Sequence, residues 1–378
     1  MPPPENPCVL FFIRSLETGG AERQLVVLAN RLADLGWDIS IVTYYSGGEL
    51  EALVSPQIKK YDLGKTSRWH LLGPIARYFL LLRRIHPQVV HAYMDSANLL
   101  AALIRPLSHK HSVIWGIRTS DMRDGPRDLL QKLLFELEIR MSTAADLIIL
   151  NSRTGLEFAT SHGMDECRCI TIRNGIDTEK FRPDPIAGQT LRRKLRIGAN
   201  IPVVSIVARL HESKGHEVLL KAFAALLDKS VHLIVAGSGT IQMLQKLKTT
   251  ARRLGISSRV HFLGNVTDIM AVYNASDVNV LASTYGEGTP NAPAEAMACG
   301  TPNVVVDLGD AAFVVGDKGR VVPANDIPAM TAAITDLLSQ IENDPELGVQ
   351  ARTRIVEELS ISKLVTDTRQ AIEAVLDT

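Results

Sequence analysis

The stretch STYGEGTPNAPAEAMACGTP, residues 283–302, decides the fold, because it joins a buried strand to a helix through a glycine-flanked loop. The apolar residues 278–282 directly before it predict a strand of a parallel sheet. Pro290 suits the first position of a helix that continues to about Cys299, and Gly-Thr-Pro at 300–302 ends that helix. Because a helix N-terminus at the carboxyl edge of a sheet favours an anion, the stretch predicts an anion site.

Two carboxylates frame this predicted site. Glu287 lies in the loop before the helix, and Glu295 lies inside the helix. Carboxylate oxygens accept hydrogen bonds from hydroxyl groups, so the pair suits a hydroxyl-rich ligand. Each residue also has a plainer interpretation: Glu295 as a solvated helix residue, and Glu287 as a carboxylate that caps the following helix.

The composition is that of a globular protein. With 378 residues the chain is too long for one ordinary core, so two domains are expected. Lys plus Arg and Asp plus Glu both number 41, and this balance gives no general case for nucleic-acid binding. Four cysteines do not suggest a disulfide framework in such a chain, which favours a reducing compartment. No signal-peptide pattern and no apolar run long enough to span a bilayer is present, so we predict a cytoplasmic protein.

The first half of the chain alternates between strand and helix patterns. An apolar run at 8–13 predicts a buried strand, Gly19 and Gly20 follow it, and a helical pattern covers 24–35. A right-handed crossover would place these glycines at the carboxyl edge of the sheet, where a phosphate could approach the backbone. A simple tight turn is an equally good local interpretation. No full G-x-G-x-x-G pattern occurs here, which argues against a dinucleotide dehydrogenase.

Two further candidates lie at predicted strand ends in this half. The predicted strand 88–92 carries His91 at its end, and the strand 112–117 is followed by Arg118 and then by Asp121. Ligands of α/β folds bind beyond the carboxyl ends of the strands, so these side chains are candidate site residues. A single histidine at such a place is more often merely hydrogen-bonded than catalytic.

Basic residues surround an apolar face in residues 65–84, KTSRWHLLGPIARYFLLLRR. A basic amphipathic helix can rest on an anionic membrane surface, which would bring the protein to the cytoplasmic face of a membrane. The plainer alternative is a helix that packs on its own sheet and keeps a solvated basic side.

The alternation resumes after residues 180–185, KFRPDP, which predict a linker, and we place the domain boundary near Phe181. The new series begins with a strand at 202–208 and predicts a second doubly wound parallel sheet. The following loop carries Arg209 and Lys214, whose cationic groups suit a phosphate, although solvated surface charges would give the same pattern.

Gly237, which follows the next strand, again permits a close approach to the backbone. No Asp-x-Asp motif occurs in the chain. We therefore predict no metal site, and a leaving diphosphate would be stabilised by Arg, Lys and helix N–H groups.

In this order and spacing, the motifs resemble those of the family 4 glycosyltransferases with the GT-B fold. The matching segments are 19–22 (GGAE), 174–177 (NGID), 209–215 (RLHESKG), 287–291 (EGTPN) and 295–302 (EAMACGTP). The resemblance implies an α/β protein of two Rossmann-like, doubly wound parallel-sheet domains that face each other across a cleft. Residues 1–180 would bind the acceptor, and the C-terminal helix 361–378 would pack back on this domain. Residues 181–360 would bind a nucleotide-sugar donor.

The resemblance also implies roles for individual residues. The diphosphate would be bound by Arg209 and Lys214, the ribose hydroxyls by Glu295, and the transferred sugar by Glu287. The implied donor-binding set is Gly19, Gly20, Arg209, Lys214, Gly237, Asn265, Val266, Glu287, Gly288, Thr289, Pro290, Asn291 and Glu295. The candidate catalytic set is Glu287, Arg209, Lys214, His91 and Arg118.

The implied activity is the transfer of a hexosyl or N-acetylhexosaminyl group from a UDP-sugar, or alternatively a GDP-sugar, to a hydroxyl of a glycan or lipid-linked glycan. The resemblance implies polysaccharide or glycoconjugate biosynthesis, retention of the anomeric configuration, and no prosthetic group. A nucleotide-sugar isomerase or epimerase on the same architecture is the alternative, although no convincing acid/base set for it can be assembled. A binding protein with a decayed site is a third possibility.

Two positions depart from the family pattern. Many relatives have a histidine where this chain has Arg118, so a contact to the donor sugar is expected to differ. Thr289 stands where a bulkier apolar residue is frequent, so the edge of the pocket is expected to differ as well.

Overall fold

The structure, a computed structural model, describes residues 7–67, 69–118 and 129–377, and these residues form two units. The first unit contains residues up to Gly175 together with the C-terminal segment from Ile361. The second unit comprises Ile176–Ser360. None of the helices within the described ranges combines the length and the apolar content needed to cross a bilayer.

Each unit is built on one parallel sheet. In chain order the strands are β1 (Cys8–Ile13), β2 (Asp38–Thr43), β3 (Lys59–Asp62), β4 (Val89–Tyr93), β5 (Ser112–Ile117), β6 (Leu147–Leu150), β7 (Cys169–Thr171), β8 (Val203–Val207), β9 (His232–Ala236), β10 (Val260–Gly264), β11 (Val278–Leu281), β12 (Asn303–Val306) and β13 (Arg320–Val322). The first sheet has seven strands in the order β3-β2-β1-β4-β5-β6-β7, and the second has six in the order β10-β9-β8-β11-β12-β13. The predicted α/β class with two doubly wound parallel sheets is therefore confirmed.

Helices connect the strands and cover the sheets. They are α1 (Gly20–Asp34), α2 (Leu72–Ile85), α3 (Asp95–Ile104), α4 (Leu129–Arg140), α5 (Arg153–Ser161), α6 (Pro185–Lys194), α7 (His216–Ala225), α8 (Ile241–Arg253), α9 (Ile269–Asn274), α10 (Asn291–Ala298), α11 (Ala311–Val315), α12 (Ile327–Asn343), α13 (Leu347–Leu359) and α14 (Ile361–Leu376). In α14, Leu364 and Ile372 are buried in the same core as Phe11 of β1, because their spacing places them on one helix face. The last helix thus packs on the first unit.

The segment 180–185 is not a free linker, contrary to the prediction. Phe181 is buried in the core of the second unit, and its ring centroid lies 6.2 Å from that of Tyr273. The units therefore divide between Gly175 and Ile176 instead of near Phe181. The proline and charged residues of the segment suggested solvent exposure, but burial of one aromatic ring decides its position.

The basic amphipathic segment is only partly helical. The helix α2 begins at Leu72, so the residues before it, including Lys65 and Trp69, precede the helix. Trp69 and Leu72 are each 84% exposed, whereas Tyr78 of the same helix is fully buried on the first sheet. The segment thus contains a helix that packs on its own sheet, and exposed apolar side chains lie at the start of that helix.

Candidate active site

The candidate residues of the second unit leave the sheet where its strand order reverses. This reversal lies between β8 and β11, which pair in parallel. The loop 209–215 follows β8, and the loop 282–290 follows β11. Doubly wound sheets bind ligands beyond the carboxyl ends of their strands at such a switch point.

The loop after β8 folds tightly against the end of β11. Gly215 has a φ of +62°, and a Cβ atom at this position would lie 1.8 Å from the carbonyl oxygen of Ala282. The backbone N–H of Thr284 donates to the carbonyl oxygen of Ser213 over 2.8 Å. Only glycine fits this approach, so the fold itself fixes the position of the neighbouring Lys214.

Lys214 and Glu287 form an ion pair at this place. The Lys214 Nζ donates to Glu287 Oε1 over 2.5 Å, and Ser283 Oγ donates to the same oxygen over 2.5 Å. The side chains of Lys214 and Glu287 are only 20% and 9% exposed. A pair this sheltered from water orients both groups more firmly than a surface pair would.

The loop after β12 holds the backbone beside Glu287. Gly309 has a φ of +58°, and a Cβ atom there would lie 2.3 Å from the carbonyl oxygen of Gly288. The N–H of Asp310 donates to the same oxygen over 2.8 Å. The local pattern did not predict this support, although a glycine three residues after an apolar run, in VVVDLGD at 304–310, was an available signal.

The helix α10 starts one residue later than predicted. Pro290 is the N-cap residue with φ −74° and ψ 122°, and α10 begins at Asn291. A proline side chain cannot accept a hydrogen bond from the first helical N–H groups. Thr289, directly before it, is buried. The helix start follows the loop that carries Glu287, the residue whose carboxylate Lys214 contacts.

Glu295 is held by a buried tyrosine that the sequence analysis did not identify. Tyr273 Oη donates to Glu295 Oε2 over 3.0 Å. Burial, and secondly the Glu295 carboxylate, raise the pKa of Tyr273 well above its ordinary value, so the phenol remains a donor. The tyrosine thereby fixes the rotamer of the carboxylate on α10.

The remaining candidates of the second unit lie on the same edge of the sheet. Arg209 is exposed, and Asn265 and Val266 directly follow β10. Gly237 has a φ of +143°, and a Cβ atom there would lie 1.9 Å from the carbonyl oxygen of Ala208. A glycine is therefore required at this position by the packing between the loop after β8 and the loop after β9.

Gly19 and Gly20 differ in what surrounds them. A Cβ atom on Gly19 would lie 2.0 Å from Glu22 Oε2, whereas no heavy atom lies within 4 Å of the Cβ position of Gly20. Gly20 is the first residue of α1. Nothing in the packing of the described chain requires a glycine at this second position, so the open space above it is available to a ligand.

The structure places His91 inside β4 and not at its end. The strand continues to Tyr93, because Ala92 and Tyr93 pair with Trp115 and Gly116 of β5. The His91 ring is fully buried, and its two nitrogens have no hydrogen-bond partner in the described part of the chain. Burial, and secondly Arg118, lower its pKa well below the ordinary value, so the ring is neutral.

Arg118 lies at the carboxyl edge of the first sheet. Its Nη2 donates to Tyr93 Oη over 3.1 Å, and its Nη1 donates to Asn174 Oδ1 over 3.4 Å. The guanidinium carbon is 4.9 Å from the centre of the Tyr93 ring. The structure thus brings Arg118 together with Tyr93, which the sequence analysis missed. Asp121 lies outside the described residues.

Within residues 7–67, 69–118 and 129–377, no group of three or more His, Cys, Asp and Glu side chains is arranged to hold a metal ion.

Two family models match the chain. The model described as Glycosyltransferase Family 4 matches residues 18–180, and the model described as Glycosyl transferases group 1 matches residues 201–340. Curated relatives include the D-inositol 3-phosphate glycosyltransferase 2 of Catenulispora acidiphila, 27% identical over 371 residues and covering 89% of this chain and 85% of that protein. The D-inositol 3-phosphate glycosyltransferase of Corynebacterium glutamicum is 26% identical over 368 residues, with 89% and 87% covered.

Solved structures share the fold. HepE of Anabaena in complex with UDP is 20% identical with a TM-score of 0.83, and the match covers 97% of this chain and 100% of that chain. Sucrose-phosphate synthase from Thermosynechococcus elongatus is 20% identical with a TM-score of 0.80, covering 98% and 99%.

Proposed function

The chain belongs to the family 4 glycosyltransferases of the GT-B fold, and on this premise we propose that it transfers a hexosyl or N-acetylhexosaminyl group from a UDP-sugar to an acceptor hydroxyl. The observation that carries the proposal is the sheltered ion pair between Lys214 and Glu287 at the switch point of the second sheet. HepE of Anabaena is described in complex with UDP and with UDP-glucose, which favours UDP over GDP as the donor nucleotide.

The second unit would hold the donor. Lys214 and Arg209 would contact the diphosphate, and the N–H groups at the start of α10 would assist. A lysine ammonium has three N–H donors, and the ion pair with Glu287 uses one of them. The Glu295 carboxylate, fixed by Tyr273, would accept hydrogen bonds from the ribose hydroxyls. The backbone after β10, at Asn265 and Val266, would contact the base, and the Gly237 backbone would border the diphosphate.

The reaction would retain the anomeric configuration. The bond between the anomeric carbon and the diphosphate oxygen breaks with its electron pair on the leaving group, and the acceptor oxygen bonds to the same face of the carbon. The leaving phosphate takes the proton of the acceptor hydroxyl. The developing charge would be stabilised by the positive groups at 209–214, which we propose are positioned before the reaction begins.

The alternative in which Glu287 acts as a covalent nucleophile is less well supported than the transfer assisted by the leaving phosphate. Its Oε1 accepts hydrogen bonds from both Lys214 and Ser283, and these bonds withdraw electron density from the oxygen. Glu287 would instead contact the transferred sugar and orient Lys214. Arg118, at the edge of the first sheet, is the proposed contact where many relatives have a histidine. For His91, the remaining proposal is an indirect role, in which its ring supports Tyr93 from a centroid distance of 4.5 Å.

A nucleotide screen tests the donor assignment directly. A ligand that binds only the folded state raises the melting temperature with its occupancy, so UDP is expected to stabilise the protein more than GDP or ADP. Incubation with UDP-sugars and an acceptor panel should yield glycosylated product and free UDP. If nucleotide-sugar isomerisation without acceptor is the main reaction, the isomerase alternative replaces the transferase proposal.

Gly20→Ala is expected to reduce activity without reducing stability. We propose that a phosphate group of a bound ligand approaches the backbone at Gly20, where the structure leaves open space. An added methyl group should lower kcat/KM by about 10-fold by displacing the phosphate, while alanine at the first helical position leaves the melting temperature unchanged or slightly higher. The control is Gly198→Ala in an exposed loop of the second unit, which should keep full activity. Unchanged kinetics of Gly20→Ala would contradict the proposed approach.

The proposed acceptor is a glycan or a lipid-linked glycan, reached in the cytoplasm at the inner face of the membrane. The motivation is that two apolar side chains at the start of α2, those of Trp69 and Leu72, are exposed. Sedimentation with vesicles of anionic lipid at low salt should deplete the wild-type protein, and Trp69→Ser with Leu72→Ser should abolish the effect. Leu227→Ser, at a leucine that is 92% exposed in the second unit, is the matched control. Absence of wild-type binding removes the membrane proposal.

A further inference from the structure

A second cationic cluster lies at the carboxyl edge of the first sheet, on three neighbouring strands. Arg14 follows β1, Tyr44 and Tyr45 follow β2, and Lys65 follows β3, and we call these four residues the Arg14 cluster. The N–H groups of Tyr44 and Tyr45 both donate to the Arg14 carbonyl oxygen, over 3.0 and 3.2 Å. The N–H of Lys65 donates to the Tyr44 carbonyl oxygen over 2.9 Å. Backbone hydrogen bonds thus hold the three connections together.

Both cations of the cluster rest against tyrosine rings. Lys65 Nζ lies 5.0 Å from the centre of the Tyr44 ring and 5.9 Å from that of Tyr45. The Arg14 guanidinium carbon lies 5.7 Å from the centre of the same Tyr45 ring. Tyr44 is itself fixed, since its hydroxyl donates to the Ser96 carbonyl oxygen over 2.8 Å. The two positive groups therefore share the Tyr45 ring, and Lys65 also contacts the fixed Tyr44 ring.

No carboxylate neutralises these charges in the described ranges, where neither Arg14 nor Lys65 has an ion-pair partner within 4 Å. The acidic residue nearest to Lys65 in sequence, Asp62, uses its carboxylate to accept from the Gly64 N–H over 2.7 Å. Burial, and secondly the Arg14 charge, lower the pKa of Lys65. Two like charges held together without a counter-ion are stabilised when an anion binds between them.

The cluster lies next to the point where the strand order of the first sheet reverses. The strand order reverses between β1 and β4, and Arg14 is the residue directly after β1. The cluster therefore lies beside the place where doubly wound sheets bind ligands. Arg77 of α2 helps to build it, because its Nη1 donates to the Leu63 and Gly64 carbonyl oxygens over 2.5 and 3.2 Å and so holds the turn before Lys65.

We propose that the Arg14 cluster binds the phosphate or carboxylate group of an anionic acceptor. The inference rests on the proposed glycosyl transfer, in which the second unit supplies the cations for the donor diphosphate and the first unit remains for the acceptor. The Arg14 guanidinium can bind two oxygens of such a group at once, and the Lys65 ammonium adds a point charge. The half-exposed Tyr45 ring offers a surface for the acceptor ring next to that group.

Isothermal titration with inorganic phosphate in the presence of saturating UDP tests the site without relying on turnover. Wild-type protein should bind phosphate, and Arg14→Gln with Lys65→Gln should bind it about 10-fold more weakly or not at all, because two charge-assisted contacts are lost. The matched control is Lys59→Gln on the same strand as the Lys65 connection, where the lysine is exposed and paired with Asp38 over 3.4 Å. This control should bind as wild type does.

Three results overturn the proposal: no phosphate binding by the wild type with or without UDP, equal binding by the double variant, or wild-type binding that is seen without UDP and lost when UDP is added. The last result would place the phosphate in the donor site. Single variants Arg14→Gln and Lys65→Gln guard against misfolding of the double variant, and each should show an intermediate affinity with an unchanged melting temperature.

Acceptor kinetics identify the source of the anion. With a sugar phosphate as acceptor, Arg14→Gln should raise the acceptor KM about 10-fold and leave the donor KM unchanged, and the uncharged sugar should show no such difference. The same comparison with a lipid diphosphate glycan in vesicles decides between a soluble and a lipid-linked acceptor. If no donor turns over in the wild type, the proposed transfer fails, but the phosphate titration still decides whether the cluster is an anion site.

Discussion

Glu287→Ala is expected to lower kcat by about 100-fold or more. The change removes the oxygen that accepts hydrogen bonds from Lys214 and Ser283, so the ammonium group loses the partner that orients it. Under the proposed function, the transferred sugar also loses a carboxylate. Because Lys214 remains sheltered without its counter-ion, the free energy of unfolding should fall by about 1–3 kcal/mol. Steady-state kinetics and thermal unfolding of the same preparation separate these two effects.

Two further variants sharpen this test. Glu287→Gln keeps an oxygen for Lys214 and removes only the charge, so it should retain the stability but not the activity.

Lys214→Ala should mainly weaken donor binding, measured as a rise of about 10-fold or more in the Kd of UDP. Glu217→Ala is the matched control, because Glu217 pairs with Lys246 over 2.7 Å and its side chain is 35% exposed, more than that of Glu287. Near-normal kinetics of both Glu287→Ala and Lys214→Ala would remove the site assignment.

The central strands could be predicted from the sequence. The apolar run at 8–13 coincides with β1, and the run 278–282 contains β11, because strands buried on both faces of a parallel sheet are continuously apolar. The strand Lys59–Asp62, KKYD, was missed. It lies at the edge of the sheet and pairs only with Asp38–Thr43, and edge strands tolerate charge because one side faces solvent.

The site was predicted as separate pieces but not as an arrangement. The sequence identified Lys214 and Glu287 individually, whereas their contact joins residues 73 positions apart and depends on how the two loops fold. Tyr273 and Gly309, which support Glu295 and the Glu287 loop, looked like an ordinary helix residue and an ordinary turn. Local patterns do not show which distant backbone a side chain will meet.

The same limit explains the result for His91. Propensity placed the end of the strand at about this residue, but β4 extends to Tyr93, because pairing with β5 continues through Gly116. Strand ends depend on the neighbouring strand as well as on their own residues. The histidine is therefore buried, while Tyr93 and Arg118 meet at the edge of the sheet.

Gly215→Ala is expected to destabilise the second unit and to abolish most activity together. An alanine with a φ of +62° costs about 1–2 kcal/mol. Its Cβ atom would also lie 1.8 Å from the Ala282 carbonyl oxygen, so either the loop 209–215 or the end of β11 must move. That movement would break the hydrogen bond from Thr284 to Ser213 and separate Lys214 from Glu287. We expect a total loss of about 2–4 kcal/mol in the free energy of unfolding.

Gly255→Ala measures the backbone cost of an alanine at positive φ alone. Comparison with Gly215→Ala then gives the part of the effect that comes from the contact with Ala282. Gly255 lies in the same unit with a φ of +71°, but no heavy atom lies within 4 Å of its Cβ position. It should therefore show only the backbone cost of about 1–2 kcal/mol and keep the full specific activity of its folded fraction. Equal losses of melting temperature in the two variants would mean that the contact between the Gly215 loop and β11 is not tight. In that case the fold would not hold Lys214 in place, and the proposed preorganisation of the diphosphate site would lose its structural basis.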